Sequence, residues 1–213
     1  VNKFVLQMYL PITDVGIFQR SEFLYGMFNV FHKSIANTVS SKNLKNLTER
    51  KKTDMLSTNI VHQALYLLSV LIIITILFLE DIFKFVHVDE EFWVCAKYAP
   101  MFGYNVLISG FTILYTQSIL VSKKTYIFTI NALLSFILSV VLNILLVPEY
   151  GIMGAIASGT LTFLFNALFQ IFYCNKYIGI DVNMNFPIWF LMLISIILLY
   201  AFSFQYQINT VSI

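Results

Sequence analysis

Residues Leu67 to Leu79 read LLSVLIIITILFL, an apolar run interrupted only by Ser69 and Thr75. A strand with one solvated face alternates polar and apolar residues, and a membrane-spanning β-strand shows about ten residues of that alternation. This run does not alternate, so it is read as helix. Extended back to Ile60 it holds no Asp, Glu, Lys or Arg. It then reaches the roughly 20 residues a helix needs, at about 1.5 Å per residue, to cross about 30 Å of hydrocarbon.

The same pattern recurs along the chain. The runs 99–122, 126–147 and 151–173 also lack charged residues, and 186–204 fits as a further span. Over 213 residues, 59% are hydrophobic and only 11% charged, with a mean hydropathy of +0.80. An ordinary globular domain carries about 25% charge, and no water-soluble surface can be made from this composition. The expected fold is an all-α integral membrane protein, a polytopic transmembrane helix bundle in a single domain over 1–213. Its helices are expected at about 15–39, 60–79, 92–120, 126–146, 152–173 and 187–204, after a partial helix at 1–10. Val1 stands where a start Met is expected, and VNKFVLQMYL reads as the second half of a helix, so the chain is expected to be a fragment of something longer.

Charge orients these spans. The segment 40–54 carries Lys42, Lys45, Arg50, Lys51 and Lys52, and the short loop 122–124 carries Lys123 and Lys124. The positive-inside rule makes both cytoplasmic, with Lys176 on the same side. The acidic segment 80–91 (EDIFKFVHVDEE) and the turn Pro148-Glu149-Tyr150-Gly151 belong outside. Pro11, Pro148 and Pro187 fit turns or helix starts, whereas Pro100 sits inside a span and should kink it. Cys95 and Cys174 fall on opposite sides, so no disulfide joins them. Trp93 and Trp189, each at a helix start, read as interfacial belt residues. A net charge of +2 gives no reason to expect a nucleic-acid partner.

The least lipid-like span is 15–39, where Glu22, Gly26, Asn29 and Lys33 recur at helical spacing as one polar stripe. Leu24, Met27, Phe28 and Phe31 form the opposite face, which can meet lipid or other helices. A carboxylate at the centre of a span costs on the order of 2.5–3.5 kcal/mol, so the stripe should face protein or water. Two readings stay open: the wall of a transport cavity, or a polar seam buried between helices. Asn105, Ser109, Thr112 and Thr116 repeat the pattern, as do Asn131, Ser135, Ser139 and Asn143; these suit a polyhydroxyl ligand or helix packing equally. Gly151, Ala155 and Gly159 read as a small-residue packing ridge. Lys3 lies roughly 12 Å inside the membrane from the outer turn at 11–14 and wants an anionic partner. Arg20 and Lys97 lie nearer the boundary, where a long side chain can snorkel to water.

An enzyme is not expected. His32, His62 and His87 are far apart, and the sequence has no HxxxH, no Walker loop and no Gly-x-Ser-x-Gly elbow, so neither catalytic residue, metal nor cofactor is called.

Two stretches, VNKFVLQMYLPITDVGIF at 1–18 and LNILLVPEYGIMGAIASGT at 142–160, with aliphatic helices between them, carry a resemblance. The chain resembles the C-terminal half of a bacterial polysaccharide flippase of the MATE-like superfamily, acting in O-antigen or teichoic-acid-like pathways. That family's second half often opens with Asp, a basic residue and a hydrophobic one, leading to Val-Gly-Ile-Tyr; here Asn2-Lys3-Phe4 and Val15-Gly16-Ile17-Phe18 match. Its motif Leu-Asn-hydrophobic-Leu-hydrophobic-Pro-x-Tyr-Gly-Ile-x-Gly-Ala is matched almost residue for residue by Leu142 to Ala155. Asn2 replaces the family's Asp and removes one charge from the implied cavity. The resemblance implies two six-helix lobes, alternating access, and export of an undecaprenyl-diphosphate-linked oligosaccharide across the bacterial cytoplasmic membrane. Membrane lipids, the lipid-linked glycan and an N-terminal half of the same protein are the expected partners. Lys3, Arg20, Glu22, Asn29, Lys33, Lys97 and Asn105 are the expected substrate-path residues. A drug or lipid exporter of the same superfamily, a membrane-embedded glycan polymerase or acyltransferase, and a purely structural membrane subunit are the alternatives.

Overall fold

A computed structural model describes residues 2–48, 55–87 and 93–178; the span expected at 187–204 lies outside them. Among the described residues the chain is helical throughout, without strands: α1 (Asn2–Tyr9), α2 (Ile12–Thr48), α3 (Met55–Phe85), α4 (Trp93–Phe111), α5 (Ile113–Val121) and α6 (Tyr126–Tyr173), ending in a π-type turn, Cys174–Ile178. Pro11 separates α1 from α2: its ring disfavours the helical region for Leu10, while its missing N–H is harmless at a helix start. Asp14 in the first turn of α2 complements the helix dipole.

α2 and α3 run past the apolar limits read from the sequence, to Thr48 and Phe85. Hydropathy marks where hydrocarbon ends; backbone hydrogen bonding continues into polar residues beyond it. The span expected at 92–120 is divided at Thr112. The Thr112 N–H bonds to the Ser109 carbonyl at 3.0 Å, one residue short of helical register. The hydroxyls of Ser109 and Thr112 donate back to Val106 and Ser109 carbonyls at 2.8 and 2.7 Å. Such back-bonding competes with the ladder and bends helices. Helix α4 itself continues through Pro100.

Helix α6 is a hairpin. Gly151 has φ +57° and ψ −132°, and on either side the chain is helical. A continuous helix would hold Ser135 and Asn166 about 46 Å apart at 1.5 Å per residue. Instead the Ser135 hydroxyl donates to Asn166 Oδ1 at 2.8 Å, and the phenols of Tyr126 and Tyr173 meet at 3.1 Å. Both pairs are centred on the Gly151 turn, so the arms 126–150 and 152–173 are antiparallel. Gly154 closes the hairpin: a Cβ there would collide with the Leu146 carbonyl. Glycine is needed at 151 for its backbone angles and at 154 for contact.

α4 is central and packs on α2, α3 and α6. Against α3 its glycines form the contact, Gly103 over Ile72 and Gly110 over Leu65. The steps Gly103 to Gly110 and Ile72 back to Leu65 match, which sets antiparallel packing in a heptad register. Two apolar clusters result. One joins Val5 and Leu6 of α1, Val15 and Phe18 of α2, Phe102, and Val147, Ile152, Ala155 and Ile156 around the hairpin tip. The other joins Val61, Leu65, Leu68 and Ile72 of α3 with Val106, Leu107, Ile113, Ile119, Ile127 and Cys174. The turns at Pro11 and Gly151 meet at the first end, where a Cβ on Gly151 would lie 3.8 Å from Leu10. At the second end Lys124 Nζ reaches the Tyr177 carbonyl at 3.3 Å. Cys95 and Cys174 are both free and buried.

Among the described residues the helical stretch Tyr126–Tyr177, folded back on itself at Gly151, is long and apolar enough by length and composition to cross a membrane, with a hydropathy of 2.5, and the bent pair Val61–Thr75 and Leu77–Phe85 is a second such stretch.

Candidate functional site

The packed face of α2 begins with Val15, Phe18 and Ser21, all buried. Further along, Phe28, Ile35 and Ala36 pack on the second cluster. Phe28, on the face read from sequence as meeting lipid or other helices, meets helices. Phe18 and Phe102 meet edge to face, 5.3 Å between centroids. The Ser21 hydroxyl lies 2.9 Å from the Ile17 carbonyl and 3.2 Å from that of Cys95 on α4. His32 Nε2 lies 3.4 Å from Ser109 Oγ. These contacts fix which side of α2 meets α4.

Glu22, Gly26 and Asn29 run along the edge of that packed face and are half-buried, while Lys33 is exposed. Phe23 and Val30, farther round the helix, are largely exposed. The stripe thus borders the α2–α4 contact without being sealed inside it. Arg20 is exposed and projects from another side of α2, because residues two apart on a helix do not share a face.

Asn105 is 4% exposed and stands one turn from both Phe102 and Ser109, the α4 residues that touch α2. Its Oδ1 is buried without a hydrogen-bond partner among the described residues. The structure therefore brings Glu22, Asn29 and Lys33 onto one edge, sets Asn105 in the adjoining interface, and places Arg20 apart. Lys3 belongs to α1, which packs chiefly on α6. Lys97 belongs to α4. Both side chains lie outside the described residues.

Most of the other polar stripe residues bond inside the chain. Asn131, Ser135, Ser139 and Asn143 are all buried. Ser135 bonds Asn166, Asn143 Nδ2 donates to the Ser139 carbonyl at 2.7 Å, and Asn166 Nδ2 donates to that of Thr162 at 3.1 Å. The Thr116 hydroxyl donates to Gln170 Oε1 at 2.8 Å. The Ser135–Asn166 and Thr116–Gln170 bonds are seams between helices, whereas the hydroxyls of Ser109 and Thr112 and the amide groups of Asn143 and Asn166 turn back on their own helix.

Among the described residues, no three His, Cys, Asp or Glu side chains come together as metal ligands. The chain matches no family model, no curated protein and no solved structure. What it does has therefore to be argued from its own residues.

Sequence reasoning missed Ser21 and His32, although both fall at helical spacing from Phe18 and Phe28. It also missed Gly103, Gly110 and Gly154. A glycine's role depends on what stands opposite, and a single sequence does not show that.

Proposed function

We propose that this chain is a multi-pass protein of the bacterial cytoplasmic membrane and forms one lobe of a flippase for undecaprenyl-diphosphate-linked oligosaccharide. The membrane part of the reading is supported by where the apolar side chains are. In the best window of the Tyr126–Tyr177 span only 28% of residues are buried. Leu133, Phe136, Ile137, Val141, Ile144 and Leu145 form a continuous exposed apolar face on the first arm of the hairpin. A core helix of a water-soluble domain buries such a face, and soluble monomers rarely expose apolar patches beyond about 300–600 Å².

The transport part is carried by one observation: the Glu22–Asn29–Lys33 stripe stays half-open, while Ser135 and Thr116 of the other polar stripes are bonded to side chains of facing helices. A polar head group and its diphosphate can cross hydrocarbon only along a surface that spares them full desolvation. An edge carrying a carboxylate, an amide and an ammonium group is such a surface when a second lobe covers it. Lys3, and less directly Lys33 and Lys97, supply positive charge for the diphosphate, and Glu22 pairs with Lys3 when no cargo is bound; Arg20, on another side of α2, does not face this path. Rocking of the lobes about that edge would expose it to either side.

Complementation tests this reading. The intact gene should restore surface glycan export to a flippase-null strain without conferring drug resistance, and Lys3→Ala should abolish the rescue. Normal export by Lys3→Ala at normal expression refutes the role of Lys3; drug resistance without rescue favours the exporter alternative.

A further inference from the structure

At the end of the hairpin away from Gly151, basic and aromatic side chains converge on one residue. Lys124 Nζ donates to the Tyr177 carbonyl at 3.3 Å. Lys176 Nζ stands 5.3 Å above the Tyr177 ring and 5.4 Å above that of Phe172. Tyr177 stacks on Tyr173 with 4.8 Å between centroids, and Tyr173 is hydroxyl-bonded to Tyr126. Lys123 follows in the left-handed conformation at φ +57°, exposed.

Lys124 and Lys176 thus both reach Tyr177, one at its carbonyl and one over its ring, so an anion bound beside that residue would meet two positive charges. Among the described side chains, the acidic Asp14, Glu22, Asp81 and Glu149 lie on segments toward the opposite end of the bundle. The depth is also defined. Tyr126 and Tyr173 close the two apolar arms at the level where tyrosines sit among head groups. Lys124 and Lys176 follow within about 3–5 Å along the chain at 1.5 Å per residue.

We propose that Lys124, Lys176 and Lys123, framed by Tyr126, Tyr173 and Tyr177, bind the phosphate of an anionic phospholipid head group in the cytoplasmic leaflet. The site rests on the membrane-spanning reading above and is separate from the α2 edge. An ammonium group near a charged leaflet is worth roughly a fivefold gain in affinity, so losing two should cost roughly 25-fold.

The test uses the full chain purified in detergent, with native mass spectrometry of added phosphatidylglycerol and phosphatidylcholine. The wild type should retain phosphatidylglycerol selectively; K124Q/K176Q should lose that selectivity by roughly 25-fold, and K124R/K176R should keep it. Lys84→Gln, at the other end, should bind as the wild type does. Millimolar inorganic phosphate should leave the lipid bound. Equal retention by K124Q/K176Q, or by phosphatidylcholine, overturns the site, and displacement by inorganic phosphate overturns its assignment to lipid. Alkaline carbonate extraction separates the two claims: a chain released from membranes contradicts the spanning reading itself, whereas a chain that stays and binds without selectivity contradicts only this site.

Discussion

The Ser135 hydroxyl donates to Asn166 Oδ1 at 2.8 Å across the two arms of α6. That bond joins residues 31 apart in sequence and is possible only because Gly151 reverses the chain. It lies in a buried polar seam, where a lost partner leaves an amide oxygen without a donor. In a double-mutant cycle of Ser135→Ala and Asn166→Leu, the coupling should be about 0.6 kcal/mol, with about 1.7 kcal/mol as the ceiling for such bonds in membranes. Unfolding of the purified protein in mixed micelles checks this, and strict additivity would mean the bond contributes nothing.

The reversal depends on two glycines for different reasons. Gly151→Ala has open space, with Leu10 at 3.8 Å from the added carbon, but puts an alanine at φ +57° and ψ −132°. The expected loss is on the order of 1–3 kcal/mol. Gly154→Ala sets a methyl against the Leu146 backbone, which cannot swing away as a side chain can. It should therefore be the more damaging of the two, seen as a lower denaturation midpoint than Gly151→Ala.

The α3–α4 contact makes a third prediction. A methyl on Gly110 meets the tip of the Leu65 side chain, and one on Gly103 meets Ile72 at 3.0 Å. Gly110→Ala alone should destabilise by about 1–3 kcal/mol through overpacking. Combined with Leu65→Ala it should cost less than the sum of the two single changes, because the space left by the shortened Leu65 takes up the methyl added at 110. Additive losses would show that the helices do not meet at this pair.

Much of the architecture was legible before any coordinates. Among the described residues the long charge-free runs fall in helices, and Pro148 with Gly151 marked the reversal. The division at Thr112 was not legible, since Ser and Thr bend a helix only when their hydroxyls turn back on it, a choice made by the packing of α4. Helix ends at Thr48 and Phe85 were missed because polarity was read as loop. At the candidate site, helical spacing alone puts Glu22, Asn29 and Lys33 along one edge of α2, half-buried at Glu22 and Asn29 and exposed at Lys33. Spacing could not show that Asn105 is buried beside it, that Arg20 faces elsewhere, or that the α6 stripe is closed by Asn166. Those facts depend on which neighbour each face meets.

The most direct test of the account is the reactivity of Asn29→Cys, in a background with Cys95 and Cys174 replaced by Ala, toward a membrane-impermeant maleimide. Labelling is compared in intact cells and inverted vesicles with that of Ser135→Cys in the same background. A wetted path predicts labelling at 29, changing with the side exposed or with cargo supplied, and none at 135. If position 29 stays unreactive from both sides, or labels no better than 135, the Glu22–Lys33 edge is sealed and the chain is not the wall of a transport path.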